Sequence, residues 1–250
     1  MPKKLGKISE VFASIQGEGL SVGSMQLFIR TYGCNLRCRN CGVQEHLEPE
    51  DSFTIRPWPG QRMIRVSNPI SAKELFEKVS EAFPLKSFHS IAFTGGEPMY
   101  QTDFLMDLLP YFKKDDVPVF IETNGTLHNE FEQLKPFVTF WSVDLKLSGK
   151  WGLNTAFIMK KHKKFFENID HKNCYIRITL DSNDDAELIV NQIKEFDLKK
   201  YSLVIQPFTK APSHVNDWDT NTILEWISLF YPYFSEVRWI PQVHKLLRIP

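Results

Sequence analysis

No uninterrupted apolar run in this 250-residue chain approaches the roughly 18–20 residues needed to span a bilayer, which argues against a membrane helix. Behind the basic start Met1-Pro2-Lys3-Lys4 there is neither an apolar stretch nor a small-residue cleavage site, so no signal peptide is expected and the location is read as cytoplasmic. An excess of charge of either sign is missing too, because 30 Lys and Arg balance 30 Asp and Glu. With no long-range field to draw it to nucleic acid or anionic lipid, the chain is expected to serve a small-molecule partner. Cysteine is scarce: of four in all, Cys34, Cys38 and Cys41 crowd into eight residues and Cys174 stands far away. That is no secreted disulfide framework, and clustered thiols in a reducing compartment point to metal or redox chemistry. Internal repeats, low-complexity tracts and a dividing linker are all absent.

The composition is 42% apolar and 24% charged, ordinary for a globular domain, which excludes disordered, collagen-like and coiled-coil readings. At about 100–200 residues per domain, 250 residues without a linker read as one large domain over 1–250. Periodicity and breakers predict strands at Gln26–Thr31, Phe88–Thr94, Val117–Glu122, Val138–Val143, Cys174–Leu180, Ser202–Gln206 and Val237–Ile240. Helices are predicted at Ala72–Ala82, Asp103–Lys113, His128–Leu134, Thr155–Asn168, Asp184–Phe196 and Asn221–Tyr231. The alternation implies an α/β fold with a parallel sheet and right-handed crossovers. Ser71-Ala72-Lys73-Glu74 matches a capping box, and Pro84 and Pro110 are placed at helix ends. From Glu45 to Pro69 the chain is polar and proline-rich, and reads as an insertion loop, with or without a hairpin of its own, that serves either as a lid or as a surface excursion.

Cys34-x-x-x-Cys38-x-x-Cys41 follows the first predicted strand through Tyr32-Gly33. Three thiolates on one loop suit three irons of a [4Fe–4S] cube and leave the fourth iron open to a ligand. A zinc site completed by His46 is the competing reading, weakened because no second ligand pair exists. Phe93-Thr94-Gly95-Gly96-Glu97-Pro98 ends a predicted strand, where α/β barrels build active sites. Its glycines admit close backbone approach to a ligand, and Glu97 offers a carboxylate to a cationic amine.

The pairing of this cysteine loop with a Gly-Gly-Glu turn resembles the radical S-adenosylmethionine enzymes, which implies a single-domain, incomplete β/α barrel. Further segments narrow the resemblance to the 7-carboxy-7-deazaguanine synthase family: Ser14-Ile15-Gln16-Gly17-Glu18-Gly19, Phe28-Ile29-Arg30, Ile121-Glu122-Thr123-Asn124-Gly125-Thr126, Gln206-Pro207 and Pro241-Gln242-Val243-His244-Lys245. The resemblance runs from about Glu10 to the last residue. It implies a queuosine-pathway reaction in which a 5′-deoxyadenosyl radical takes the C6 hydrogen of 6-carboxytetrahydropterin. Ring contraction and loss of ammonia follow, and S-adenosylmethionine is regenerated. The cofactor performs the hard step while the protein positions, matches charge and excludes water.

By the same resemblance the cluster sits on Cys34, Cys38 and Cys41, and the pterin lies against Ile15, Gln16, Gly17, Arg30, Thr94 and the terminal Pro250. S-adenosylmethionine is expected at Asn40, Cys41, Gly42, Gly96, Glu97, Asp144, Leu145, Lys146, Gln206, Pro207, Phe208 and Thr209, with Asp144 accepting from the ribose hydroxyls. Glu122 and Asn124 fit either cofactor contacts or turn-shaping hydrogen bonds, and His244 either a substrate contact or a core histidine. The many aromatics read as packing. Lys160–Lys164 reads as a solvated helix face, with docking of an acidic electron donor such as flavodoxin as the lesser alternative. A homodimer is left open.

One departure stands out. In that family the third cluster cysteine is followed by Asp and then Thr or Ser, whose hydroxyl, with the substrate carboxylate, helps bind Mg²⁺; here Gly42 and Val43 stand there. Neither side chain supplies the oxygen that magnesium demands. The usual site is expected to be absent, or rebuilt through Gln44, Glu45 or the adjacent loop. Competing functions are a radical enzyme acting on another substrate, such as a glycyl-radical-activating enzyme, and a non-catalytic iron–sulfur or zinc protein.

Overall fold

Period-two alternation within the strands decides the architecture. The computed structural model describes residues 4–57, 61–147, 149–167, 169, 171–208 and 218–249. The first part of the chain holds β1 (Leu5–Gly6), β2 (Ile8–Ile15), β3 (Met25–Thr31), β4 (Ser52–Arg56), β5 (Ile64–Ser67) and β6 (Ile70–Ser71). There follow α1 (Ala72–Ala82), β7 (Ser90–Gly95), α2 (Thr102–Lys114), β8 (Val119–Thr123), α3 (His128–Leu134) and β9 (Phe140–Asp144). The last third adds α4 (Thr155–Phe166), β10 (Cys174–Leu180), α5 (Ala186–Ile193), β11 (Ser202–Pro207), α6 (Thr220–Phe230), β12 (Glu236–Trp239) and α7 (Val243–Leu247).

The main sheet has ten strands in the order β12-β11-β10-β9-β8-β7-β3-β2-β4-β5. All pairs from β3 to β12 are parallel. β2 runs antiparallel to β3 and parallel to β4, and β4 and β5 form an antiparallel pair. Leu27, Ile29, Ile91, Phe93, Ile121, Val143, Ile176 and Ile205 point to the helix-covered face and join the main core. The alternate positions Phe28, Ala92, Phe120, Tyr175 and Val204 form a second, smaller cluster with Phe12 on the opposite face. Side chains from β2 and β11, six strands apart in the sheet order, line one cavity, so the sheet must curl. Its outer strands β5 and β12 do not pair with each other, which makes it the expected incomplete barrel.

The predicted elements are all present, with ends shifted by caps. Ser71 Oγ accepts from Glu74 N at 3.3 Å, as the capping box requires. Asp185 caps α5 and Asp219 caps α6, which moves both starts away from those expected. Pro110 lies inside α2 and not at its end. The buried stripe Phe104, Leu105, Leu108, Leu109 and Phe112 continues past it, and that packing outweighs the hydrogen bond a proline removes. β2 escaped prediction: Ser9 and Glu10 interrupt its apolar rhythm and a register shift lies between Ile8 and Glu10. The segment 45–69 carries its own hairpin, β4–β5, which widens the sheet beyond β2 and contributes nothing to the cavity wall among the described residues. No helix among the described residues is long and apolar enough to cross a membrane.

Candidate active site

Parallel strands bring their carboxyl ends to one rim, where the inward positions turn from apolar to polar: Arg30, Thr94, Glu122, Asp144, Arg177, Thr179 and Gln206. Together with the cysteine loop they line the cavity that the curled sheet encloses.

Cys34, Cys38 and Cys41 all face this cavity, whereas Cys174 is buried in β10 away from it. Burial raises the Cys34 thiol, and pushes Cys38 up to about 11, with Asp144 and the neighbouring cysteines adding to it against Lys146. Among the described residues no three His, Cys, Asp or Glu converge as a single-ion site requires. In an iron–sulfur cube each thiolate binds its own iron, so the sulfurs stand farther apart than around one ion, and the loop fits a cluster better than zinc. His46, the proposed fourth zinc ligand, is off the cavity wall and hydrogen-bonded through Nδ1 to Ser9 Oγ at 2.6 Å.

The Gly-Gly-Glu turn leans on this loop. A Cβ at Gly96 would lie 2.1 Å from Gly33 O, so only glycine lets the two backbones meet. Glu97 departs from its expected role, because its carboxylate does not reach the cavity. It is fully buried and accepts from Met99 N at 3.2 Å, Thr123 Oγ1 at 2.9 Å and Asn124 N at 2.7 Å. Burial still raises its pKa to about 7 against those donors. Glu97 therefore ties the end of β8 to the turn, and Gly95 and Gly96 are the parts of the turn on the wall.

A buried charge chain crosses the rim. Arg177 Nη1 pairs with Glu18 Oε2, and its Nη2 lies 3.2 Å from Asp144 Oδ2, which also accepts from Lys146 Nζ at 2.7 Å. Lys146 Nζ in turn sits 4.1 Å from the Trp151 ring centroid. Burial opposes ionisation of Glu18 and Asp144, but their cations outweigh it and hold both carboxyls below the usual range. Glu122 goes the other way: burial raises it despite Arg177, and Thr94 Oγ1 and Gln16 Nε2 donate to it at 2.9 and 3.0 Å. Asp144 Oδ1 and Gln206 Oε1 are buried acceptors with no hydrogen-bond partner among the described residues, which suits a ligand rich in hydroxyl or amino donors.

Two segments far apart in sequence meet at the mouth. Val243 N donates to Gly17 O at 2.9 Å, and Gln242 Nε2 donates to Glu18 Oε1 at 2.6 Å. A Cβ at Gly17 would lie 2.4 Å from His244 Nδ1. Gln16-Gly17-Glu18-Gly19 and Pro241–Lys245 thus form one structural unit, and His244 is part of the wall and not of the core.

Arg30 lines the cavity with its Nε bonded to Glu10 Oε1 at 2.8 Å, its only side-chain hydrogen bond among the described residues. The other oxygen of Glu10 lies 2.9 Å from Arg56 Nη2, on the inserted hairpin. One carboxylate thus faces two guanidinium groups.

Of the other residues expected, Ile15, Gln16, Gly17 and Thr94 line the cavity, as do Asn40, Gly42, Lys146 and Phe208. Leu145 and Pro207 supply backbone to strand ends and stand behind the wall, and Thr209 and Pro250 lie outside the described residues. Asn124 both shapes its turn and reaches the cavity. Arg177, Thr179, Trp151 and Gln242 are wall residues with no assigned role in the sequence reading. Arg177 is a lone arginine at an inward position of the apolar strand β10, a signal that could have marked it. Phe12 and Phe28, stacked at 5.1 Å, are cavity floor as well as packing. In the Lys160–Lys164 run the lysines are exposed, while His162 is fully buried between Gly125 O at 3.1 Å and Lys146 N at 3.1 Å.

Magnesium does not fit at the usual place. Val43 is on the wall without an oxygen, while Gln44 turns to Arg39 O at 3.5 Å and Glu45 to His46 at 3.6 Å, both off the wall.

The chain matches the radical SAM superfamily over residues 28–147, from β3 to the Asp144–Lys146 corner. The 7-carboxy-7-deazaguanine synthase of Geobacter sulfurreducens is 32% identical over 99% of this chain and 99% of its own length. That of Archaeoglobus fulgidus is 31% identical over 96% of this chain and 97% of its own. The crystal structure of QueE from Escherichia coli shares the fold at a TM-score of 0.58 and 18% identity, covering 96% of this chain and 95% of that one. Motifs, geometry and near-full-length relatives converge: the chain belongs to the 7-carboxy-7-deazaguanine synthase family of radical SAM proteins.

Proposed function

We propose that the protein converts 6-carboxy-5,6,7,8-tetrahydropterin to 7-carboxy-7-deazaguanine and ammonia, in queuosine and 7-deazapurine biosynthesis. The observation that carries this reading is the union of Gln16–Gly19 with Pro241–Lys245 at the cavity mouth. These are the segments that separate this family from other radical enzymes.

Cys34, Cys38 and Cys41 would hold a [4Fe–4S] cluster, with S-adenosylmethionine beside it, and the pair would supply the radical chemistry that abstracts hydrogen. The protein supplies position and charge. Asp144 Oδ1 and Gln206 Oε1 accept from the cofactor's hydroxyl and amino groups, beside Gly96, Asn40 and Phe208. Gln16 and Thr94 orient Glu122 through their hydrogen bonds, and Phe12 and Phe28 give the pterin an apolar floor. Arg30 receives the substrate carboxylate, because Arg56 shares the neutralisation of Glu10 and leaves net positive charge at that corner. An electron donor such as flavodoxin completes the cycle.

The test is anaerobic reconstitution with iron and sulfide, then incubation with the pterin, S-adenosylmethionine and dithionite, with mass analysis of products. The expected result is a brown protein yielding 7-carboxy-7-deazaguanine. A colourless protein, or cofactor cleavage without that product, would refute the assignment.

A further inference from the structure

The amide of Asn124 is oriented without ambiguity. Its Oδ1 accepts from the Thr126 backbone N–H at 3.2 Å and from the Thr126 hydroxyl at 2.6 Å. That hydroxyl accepts from Asn35 Nδ2 at 2.8 Å, and Asn35 Oδ1 accepts from Asn124 Nδ2 at 2.9 Å. The three side chains close a ring of hydrogen bonds, and turning the Asn124 amide over would set the Thr126 backbone N–H against an NH2 group. Nδ2 also donates to Cys34, with Sγ at 3.7 Å. From the other side Leu36 N–H approaches the same sulfur at 3.3 Å. Cys38 and Cys41 receive no such donor among the described residues. Asn124 is itself buried, and Glu97 fixes its backbone N–H at 2.7 Å.

We propose that Asn124 is a positioning residue for the cluster, whose N–H···S bond to Cys34 raises the reduction potential of the site. The inference rests on the reading above, in which Cys34, Cys38 and Cys41 hold the cluster. Reduction adds negative charge that spreads over the irons and their thiolates. A donor dipole fixed on one thiolate stabilises the reduced form more than the oxidised one. The ring through Thr126 and Asn35 means that this dipole needs no reorganisation when the electron arrives. It also gives the buried Glu97 a purpose, since Glu97 anchors the loop that aims the amide.

The experiment is a redox titration of the reconstituted protein without S-adenosylmethionine. Dithionite supplies the single electron that takes the cluster from the 2+ to the 1+ state, and the paramagnetic signal of the reduced form is followed. Asn124→Ala should lower the midpoint by a tenfold change in the oxidised-to-reduced ratio, about 59 mV for one electron. Asn124→Asp should lower it further, because a carboxylate replaces the donor. Thr126→Val, which keeps the amide but removes the hydroxyl that orients it, should move the midpoint the same way by less. Variants with full iron and sulfide content and an unchanged midpoint would overturn the inference. So would failure of all three to hold a cluster, which would make the ring a scaffold for assembly. If the unaltered protein binds no iron, it is the cluster assignment that falls.

Discussion

Gly17→Ala puts one methyl group where the structure has no room. The new Cβ would stand 2.4 Å from His244 Nδ1, 2.6 Å from His244 Cβ and 2.7 Å from the His244 backbone nitrogen. A rotamer change relieves the first contact and not the last, so the backbone of one segment must withdraw from the other. Withdrawal strains or breaks Val243 N to Gly17 O at 2.9 Å and Gln242 Nε2 to Glu18 Oε1 at 2.6 Å. A backbone hydrogen bond contributes about 1 kcal/mol and one to a carboxylate about 1.5–3 kcal/mol. Overpacking elsewhere costs about 1–3 kcal/mol. Because the segments relax together, these do not add, and a net cost of about 2 kcal/mol for the docked arrangement is reasonable.

That cost should appear in binding more than in folding. α7 carries no buried residue, so its undocking leaves the core untouched. Two kcal/mol corresponds to roughly a thirtyfold weaker affinity for the pterin, by RT ln K. Binding of S-adenosylmethionine, proposed to rest on Asp144 and Gln206, should change little. Calorimetric titration of the reconstituted protein with each ligand separately reads both numbers, and thermal unfolding gives the control. Unchanged pterin affinity in a variant with normal cluster content would refute the view that the two segments act as one unit. A parallel loss of both affinities would mean that the mouth is not separable from the cofactor half.

Four other outcomes are expected. Alanine at Cys34, Cys38 or Cys41 should abolish both the iron–sulfur absorbance and turnover, while Cys174→Ala keeps both, and a requirement for Cys174 in assembly would contradict the three-thiolate site. Arg56→Gln should raise KM for the pterin several-fold with kcat and S-adenosylmethionine affinity preserved, since Glu10 would then draw Arg30 alone; an unchanged KM removes the hairpin from the argument. Turnover should persist in a chelator of divalent cations, because Val43 offers no oxygen and Gln44 and Glu45 are turned to other partners, and strong magnesium dependence would show a ligand set elsewhere. His162, held neutral by burial with its pKa lowered to about 4, adds stability above pH ~6.5 that is lost as pH falls towards 4. Glu97, raised to about 7, adds stability below its unfolded value near 4.5 that is lost as pH rises towards 7. The two slopes oppose each other between these limits, so His162→Gln should tilt the profile towards falling with rising pH relative to the unaltered protein, and urea unfolding from pH 5 to 7 checks it.

The strands of the parallel run were legible because each is short, apolar and closed by a glycine, proline or charged residue. Arg30, Thr94 and Asp144 came to notice through the resemblance of their segments to a known family, and the structure places all three on the cavity wall at strand ends. β2 was not legible, because Glu10 sits where an apolar residue would complete the rhythm. That carboxylate is needed between Arg30 and Arg56, and its reason lies on two other strands. The surroundings of Glu97 were hidden for a similar cause. A carboxylate after two glycines reads as a ligand for an amine, and only the register of β7 beside β8 brings Thr123 and Asn124 close enough to consume it.

The motifs themselves carry the same lesson in physical form. Gly17 and Gly96 are required by what lies opposite, His244 in one case and the Gly33 carbonyl in the other, and not by a turn of their own. A glycine of that kind marks a contact whose other half is elsewhere in the chain. Gln16-Gly17-Glu18-Gly19 and Pro241–Lys245 can therefore be read as a pair: the first supplies the missing side chain and the carboxylate, the second the imidazole and the amide that fill and bind them. Arg177 then joins this mouth to Asp144, so two carboxylates from different parts of the rim share one buried cation. Charge sharing of this kind explains why an arginine on a strand with no motif of its own stands at the centre of the site.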